Sequence, residues 1–145
     1  MKIFTIGFTN KKAERFFEGL RQAGVKRVVD VRLNNMSQLA GFSKKDDLKY
    51  FLRTIAGIDY MHSCELAPNR ELLEAYRSHG RDWNIYEKEF VELMERRHVE
   101  DSAAEYVADQ TCLLCSEDKP HRCHRRLVAE YLQRHWEGVL IEHIA

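Results

Sequence analysis

The stretch that most limits what this chain can fold into is Thr111–Leu132, TCLLCSEDKPHRCHRRLVAEYL. Cys112-Leu113-Leu114-Cys115 is an unbroken apolar run of strand length. That is the pattern of a strand buried on both faces of a parallel sheet. Ser116-Glu117-Asp118-Lys119-Pro120 is a loop by composition, and Pro120 lacks the N–H that a ladder needs. From Cys123 onward the period changes, and Leu127, Val128, Tyr131 and Leu132 form one helical stripe. Polar groups that follow a buried strand and open a helix sit where open α/β sheets bind ligands, beyond the carboxyl ends of the strands. A helix start offers free N–H groups and the positive end of a dipole, both favourable to anions. Arg122, Arg125 and Arg126, with His121 and His124, add to that field.

The rest of the chain repeats the strand–helix alternation. Lys2 to Ile6 reads as a first strand ended by Gly7, and Thr9 or Asn10 is placed to cap a helix striped by Ala13, Phe16, Phe17 and Leu20. Gly24 stops that helix, and Val25 to Val31 is a second strand with Asp30 and Arg32 at its carboxyl end. Leu33 to Phe42 has no clean period. Ser43 with Asp46 opens a helix carrying Leu48, Phe51, Leu52 and Ile55, closed by Gly57. Ile58 to His62 is a short strand, and Cys64 to Pro68 a loop beyond its end. Asn69 caps a helix with Leu72, Leu73 and Tyr76; a longer helix runs from about Asp82 to Arg97. Ala103, Ala104 and Val107 mark a short helix before the central strand, and Val139 to Ile144 is a last strand. Strand, helix, strand with short connections means parallel neighbours and right-handed crossovers. The pattern predicts one α/β domain over residues 1–145, with a mainly parallel sheet of about five strands flanked by helices. This is a three-layer, Rossmann-like or flavodoxin-like arrangement, with strand order and the direction of an edge strand left open.

Composition narrows the function classes. The 145 residues carry a formal net charge of zero, with 44% hydrophobic and 32% charged residues. This fits a globular protein and argues against one that coats nucleic acid, so an anion site must be local. No run approaches the roughly 20 apolar residues of a membrane span. Met1 to Ile6 is too short for a signal peptide. Four cysteines at irregular spacing in an α/β chain predict reduced thiols and a cytoplasmic setting, with disulfides the lesser reading.

Parallel strands bring several polar loops to one sheet edge: Gly7-Phe8-Thr9, Asp30-Val31-Arg32, His62 to Glu65, and Ser116-Glu117 with Cys123-His124-Arg125. Arg32 and Arg125 lead as anion ligands, because a guanidinium forks onto phosphate or carboxylate. Asp30, Gly7 and Thr9 join them as ligand-binding candidates. The competing reading makes Asp30 with Arg32, or Glu117 with Arg125, plain internal ion pairs. Cys123 is the candidate nucleophile, since a helix start beside His and Arg favours thiolate; otherwise it is a small packing residue. His124 is a base or a cap, and Glu117 an acid, a base or a group that orients Arg125. Cys115 reads as core from its run. Cys112-x-x-Cys115 looks like a zinc half-site, but strand residues three apart face opposite sides. A zinc set gathered by tertiary contact from Cys115, Cys123, His124, His62 and Cys64 is the remaining metal option. No pattern names a cofactor, and no metal ligands are assigned. Trp83, Tyr86 and Phe90 read as a core stripe rather than a stacking platform.

Four pieces together resemble a known family. They are Thr5-Ile6-Gly7, Val29-Asp30-Val31-Arg32, Gly57-Ile58-Asp59-Tyr60, and Leu113-Leu114-Cys115-Ser116-Glu117 leading to Cys123-His124-Arg125. In this order, over nearly the whole chain, they resemble DUF488, a domain family of unknown function. The resemblance implies a single α/β domain and a site built from Arg32, Cys115, Glu117, Cys123, His124 and Arg125. It implies no settled activity. This chain departs from the family pattern at Phe8, where many members have His, at Asn35, where many have Pro, and at Glu65-Leu66-Ala67-Pro68, which replaces a Leu-Gly-Gly type loop. The departures point to a subfamily with its own ligand.

The leading expectation is an enzyme or enzyme-like protein that binds a phosphorylated or nucleotide-like anion at the sheet edge. Arg32 and Arg125 would hold the ligand, Cys123 would act as thiolate, and Glu117 or His124 would move protons. The alternatives are a non-catalytic nucleotide or nucleic-acid module built on the His121–Arg126 cluster, a Cys/His zinc protein, and a redox sensor pairing Cys115 or Cys64 with Cys123.

Overall fold

A computed structural model describes residues 1–34, 44–78, 80–117 and 120–145. Five strands form one sheet: β1 (Lys2–Gly7), β2 (Arg27–Asp30), β3 (Asp59–His62), β4 (Thr111–Cys115) and β5 (Leu140–His143). Their order is β3-β2-β4-β1-β5, and every neighbouring pair is parallel. The helices are α1 (Ala13–Ala23), α2 (Lys45–Phe51), α3 (Arg70–Ser78), α4 (Trp83–Arg97), α5 (Val99–Ser102) and α6 (His124–His135). The α/β class and the parallel sheet match the sequence pattern. The strand order is neither the Rossmann nor the flavodoxin one, because β4 sits between β2 and β1.

The apolar run of β4 is buried at all five positions, as a central strand covered on both faces requires. Its two faces feed two cores. Cys112 and Leu114 pack with Phe4, Phe16, Leu20 and Leu52 beneath α1 and α2. Leu113 and Cys115 pack with Phe90, Leu127, Val128 and Leu132 beneath α4 and α6. Of the edge strands, β3 is mostly half-buried and β5 mostly exposed.

Local rules explain most helix ends. Asn69 accepts the Leu72 N–H at 2.8 Å, and Asp82 accepts from Asn84 and Ile85. Gly24 and Gly57 close their helices with left-handed φ of 80° and 64°. After α2 the chain widens into a π-helical turn, Leu52–Ala56. The predicted cap at Thr9 or Asn10 is not used: Lys12 precedes α1, and the Thr9 hydroxyl donates to the Ser116 carbonyl instead. Ser43, expected to open a helix, and Asn35 lie outside the described residues. Among the described residues no helix is long and apolar enough to cross a membrane.

The connections set the position of a cleft. From β2 the chain leaves towards β3 through α2 on one face. From β4 it leaves in the opposite direction, over β1, through α6 on the other face. Neighbouring strands whose connections diverge in this way open a crevice at their carboxyl ends.

Candidate functional site

That crevice is present. A cleft of about 930 Å³ opens beyond the ends of β2 and β4. Of the residues singled out from the sequence, Arg32, Cys115, Glu117, Cys123 and His124 line it. Gly7, Thr9, Asp30 and Arg125 lie behind its wall and build it.

Arg32 and Asp30 are both buried and meet in a fork. Arg32 Nε donates to Asp30 Oδ1 at 2.8 Å, and a terminal nitrogen donates to Oδ2 at 2.7 Å. The Tyr60 hydroxyl donates to Asp30 at 2.6 Å, and the Arg32 guanidinium lies over the Phe8 ring at 5.1 Å. Asp30 thus holds Arg32 in one orientation at the cleft wall.

Arg125 is 0% exposed, so its guanidinium acts inside the protein. Nε donates to Thr5 Oγ1 at 3.3 Å, while a terminal nitrogen donates to Cys115 Sγ at 3.1 Å and to the Glu117 carbonyl. Gly7 allows this packing. A Cβ there would stand 1.5 Å from the Glu117 carbonyl oxygen and 2.6 Å from the Arg125 side chain. Thr9 completes the seam by donating its backbone N–H and its hydroxyl to the Ser116 carbonyl. The Gly7–Thr9 loop therefore braces the Ser116–Glu117 loop. Glu117 itself is exposed, and its backbone rather than its carboxylate meets Arg125.

His124 opens α6. Its Nε2 donates to the Val31 carbonyl at 2.6 Å, which ties α6 to the end of β2, and its ring stands edge-on to Phe90. Burial pushes its pKa down to about 4. The imidazole is neutral at pH 7, and with the proton on Nε2 it keeps Nδ1 as an acceptor.

Cys123 precedes α6 and is joined to Cys115 by a disulfide. Reduced thiols were the expectation for all four cysteines. The structure pairs these two because the Pro120 loop brings the start of α6 back onto the end of β4, where the Pro120 carbonyl accepts the Cys123 N–H. The pair, eight residues apart, is one of the two that the redox alternative offered. Cys64 and Cys112 remain free thiols, and burial raises the pKa of Cys112.

The Cys/His zinc set is not assembled among the described residues. Among the described residues, the group of three donors within 4.8 Å of one another is His98, Glu100 and Asp101, none of them in that set. The basic cluster His121–Arg126 does not form one surface either. His121 and Arg122 are exposed, Arg125 is interior, and Arg126 pairs with Glu130 and Glu87.

The sequence reading named Arg122 but missed the arginines of α3 on the opposite wall. Arg70 and Arg77 of α3 and Arg122 of the loop face the cleft, with Tyr76, Trp83 and Tyr86 beside them. Among the described residues, none of these three arginines makes a hydrogen bond or ion pair. Trp83 stacks on Tyr86 with ring centroids 5.1 Å apart, and Tyr86 continues to Phe90 at 6.1 Å. The aromatic stripe is core at Phe90 and reaches the cleft wall at Trp83. The seven-residue spacing of Arg70 and Arg77 puts both on one helical face, a signal available in sequence.

No curated protein and no solved structure matches the chain. A family model described as "Domain of unknown function DUF488" matches residues 12–132, which include β2, β4 and every cleft-lining residue. The chain belongs to the DUF488 family.

Proposed function

We propose that the cleft binds a small phosphorylated or nucleotide-like anion. One observation carries the reading. Arg32, Arg70, Arg77 and Arg122 converge on a cleft whose described acids are Glu74 and Glu117, in a chain with zero net charge. Three of those cations have no described internal partner, so their charge is available to a ligand. A guanidinium forks onto phosphate oxygens, and several around one concavity favour a multiply charged anion. Trp83 and Tyr76 offer an apolar wall for a planar group. His124 Nδ1 can accept a hydrogen bond from the ligand. With a pKa near 4 it is a weak base, so its part is to accept that hydrogen bond while neutral.

A thermal-shift screen against inorganic phosphate, nucleotides and sugar phosphates tests this. A ligand that binds only the native state raises the midpoint by mass action. A phosphate-bearing compound is expected to stabilise the wild-type protein. Arg77→Gln is expected to weaken it about tenfold, and Arg70→Gln with Arg77→Gln to abolish the shift without changing the unliganded midpoint. A shift unchanged in the double variant refutes the site.

A further inference from the structure

The floor of the cleft carries chemistry that anion binding does not use. Cys115 closes β4 and Cys123 precedes α6, and their sulfurs meet at the cleft wall. The two residues are only 1% and 3% exposed, so a protein partner cannot reach them but a molecule of a few atoms entering the cleft can. The buried Arg125 guanidinium donates to Cys115 Sγ at 3.1 Å. A cation in that place favours thiolate over thiol. The positive end of the 12-residue helix α6 points at the same spot.

We propose that Cys115 and Cys123 are a reversible dithiol–disulfide couple that reduces small hydroperoxides, with Cys115 as the attacking thiolate and Cys123 as the resolving thiol. In the first step the Cys115 thiolate attacks one peroxide oxygen. The S–O bond forms, the O–O bond breaks, and the departing hydroxide takes a proton to become water. Cys115 is then a sulfenic acid, oxidised by two electrons, and the peroxide is reduced by two. In the second step the Cys123 sulfur attacks the Cys115 sulfur. The S–S bond forms, the S–O bond breaks, and the hydroxyl leaves as water with the thiol proton. A dithiol reductant then returns both sulfurs to thiols by exchange, and is itself oxidised to a disulfide. The sequence favoured Cys123 as nucleophile; the Arg125 contact moves that role to Cys115.

The test uses the full chain, reduced with dithiothreitol, desalted and titrated with hydrogen peroxide. Thiols are counted in denaturant and the disulfide is located by peptide mapping. No anion is added, so the result is independent of the anion-site reading. Of the four cysteines, two are expected to become unreactive, to map as Cys115 joined to Cys123, and to return with dithiothreitol. In Cys123→Ser, dimedone is expected to label Cys115. Four thiols surviving excess peroxide, or oxidation confined to Cys64, overturns the proposal. If Cys123→Ser does not fold, the wild-type peptide map decides alone.

Discussion

Two hollows among the described residues differ in kind. The second, about 650 Å³, lies between α1 and α2 and is lined by Ala13, Phe17, Phe51 and Ile55 with Glu14, Glu18 and Asp47 around it. Its described lining holds no thiol, imidazole or cation, and α1 and the turn after α2 make it from ordinary helix surface. The cleft beyond β2 and β4 has four arginines, a histidine and two cysteines. Its walls come from the ends of two strands, a braced loop and the start of a helix. Volume alone does not separate the two. Convergence of strand ends does, because there the backbone and side chains of several distant segments meet.

The sharpest way to test that contrast is through the backbone that builds the cleft. In Gly7→Ala the new Cβ must displace the Glu117 carbonyl, which is main chain and cannot swing aside. The loop must lift, which breaks its bond to Arg125 and leaves a buried guanidinium short of an acceptor. A loss of about 3 kcal/mol is expected in urea denaturation, or failure to fold. A stability near that of the wild type would mean the loop is not braced.

The next largest effect is a pH dependence seated in the cleft. His124 in the native state has a pKa near 4, below the ordinary 6.5. Between those values the unfolded chain takes up a proton that the native protein refuses. Stability is therefore complete above pH 6.5 and falls as pH drops towards 4, by on the order of 2–3 kcal/mol. His143, whose pKa burial and then Arg125 also lower, adds a loss of the same sign. His124→Gln is expected to flatten most of the slope in urea midpoints measured at pH 7 and 4.5. An equal slope in the variant assigns the effect elsewhere.

The residues explain why some of this was legible in sequence. The all-buried run at Cys112–Cys115 could only be a central strand, and the parity of a strand correctly put Cys112 and Cys115 on opposite faces. Asp30 and Arg32 are two apart at a strand end, so their pairing was one of the readings offered. Arg125 was opaque. Its position at a helix start matches an anion ligand, and only the fold shows that Thr5, Cys115 and the Glu117 carbonyl enclose it. Those partners lie up to 120 residues away, and helical or strand periods carry no information over that span. Arg70 and Arg77 were overlooked because an exposed arginine on an amphipathic helix is usually just solvated. The cleft that Arg70 and Arg77 line lies at the end of β4, which sits between β2 and β1, and strand order has no local signature.

The smallest effect comes from α1, a helix that lines the other hollow, and its sign is reversed. Gly19 lies in the interior of α1, where a glycine lacks the restraint a side chain puts on the unfolded chain. A Cβ there would meet only the Ile144 side chain, at 3.4 Å, an ordinary contact. Gly19→Ala is therefore expected to stabilise the protein by about 0.5–1 kcal/mol, with anion binding in the cleft unchanged. The same substitution at two glycines thus yields opposite outcomes, because Gly7 faces main chain at a built junction and Gly19 faces one side chain on a helix surface. If Gly19→Ala were as damaging as Gly7→Ala, α1 would also be held by a close backbone junction, and the distinction between the two glycines would fail.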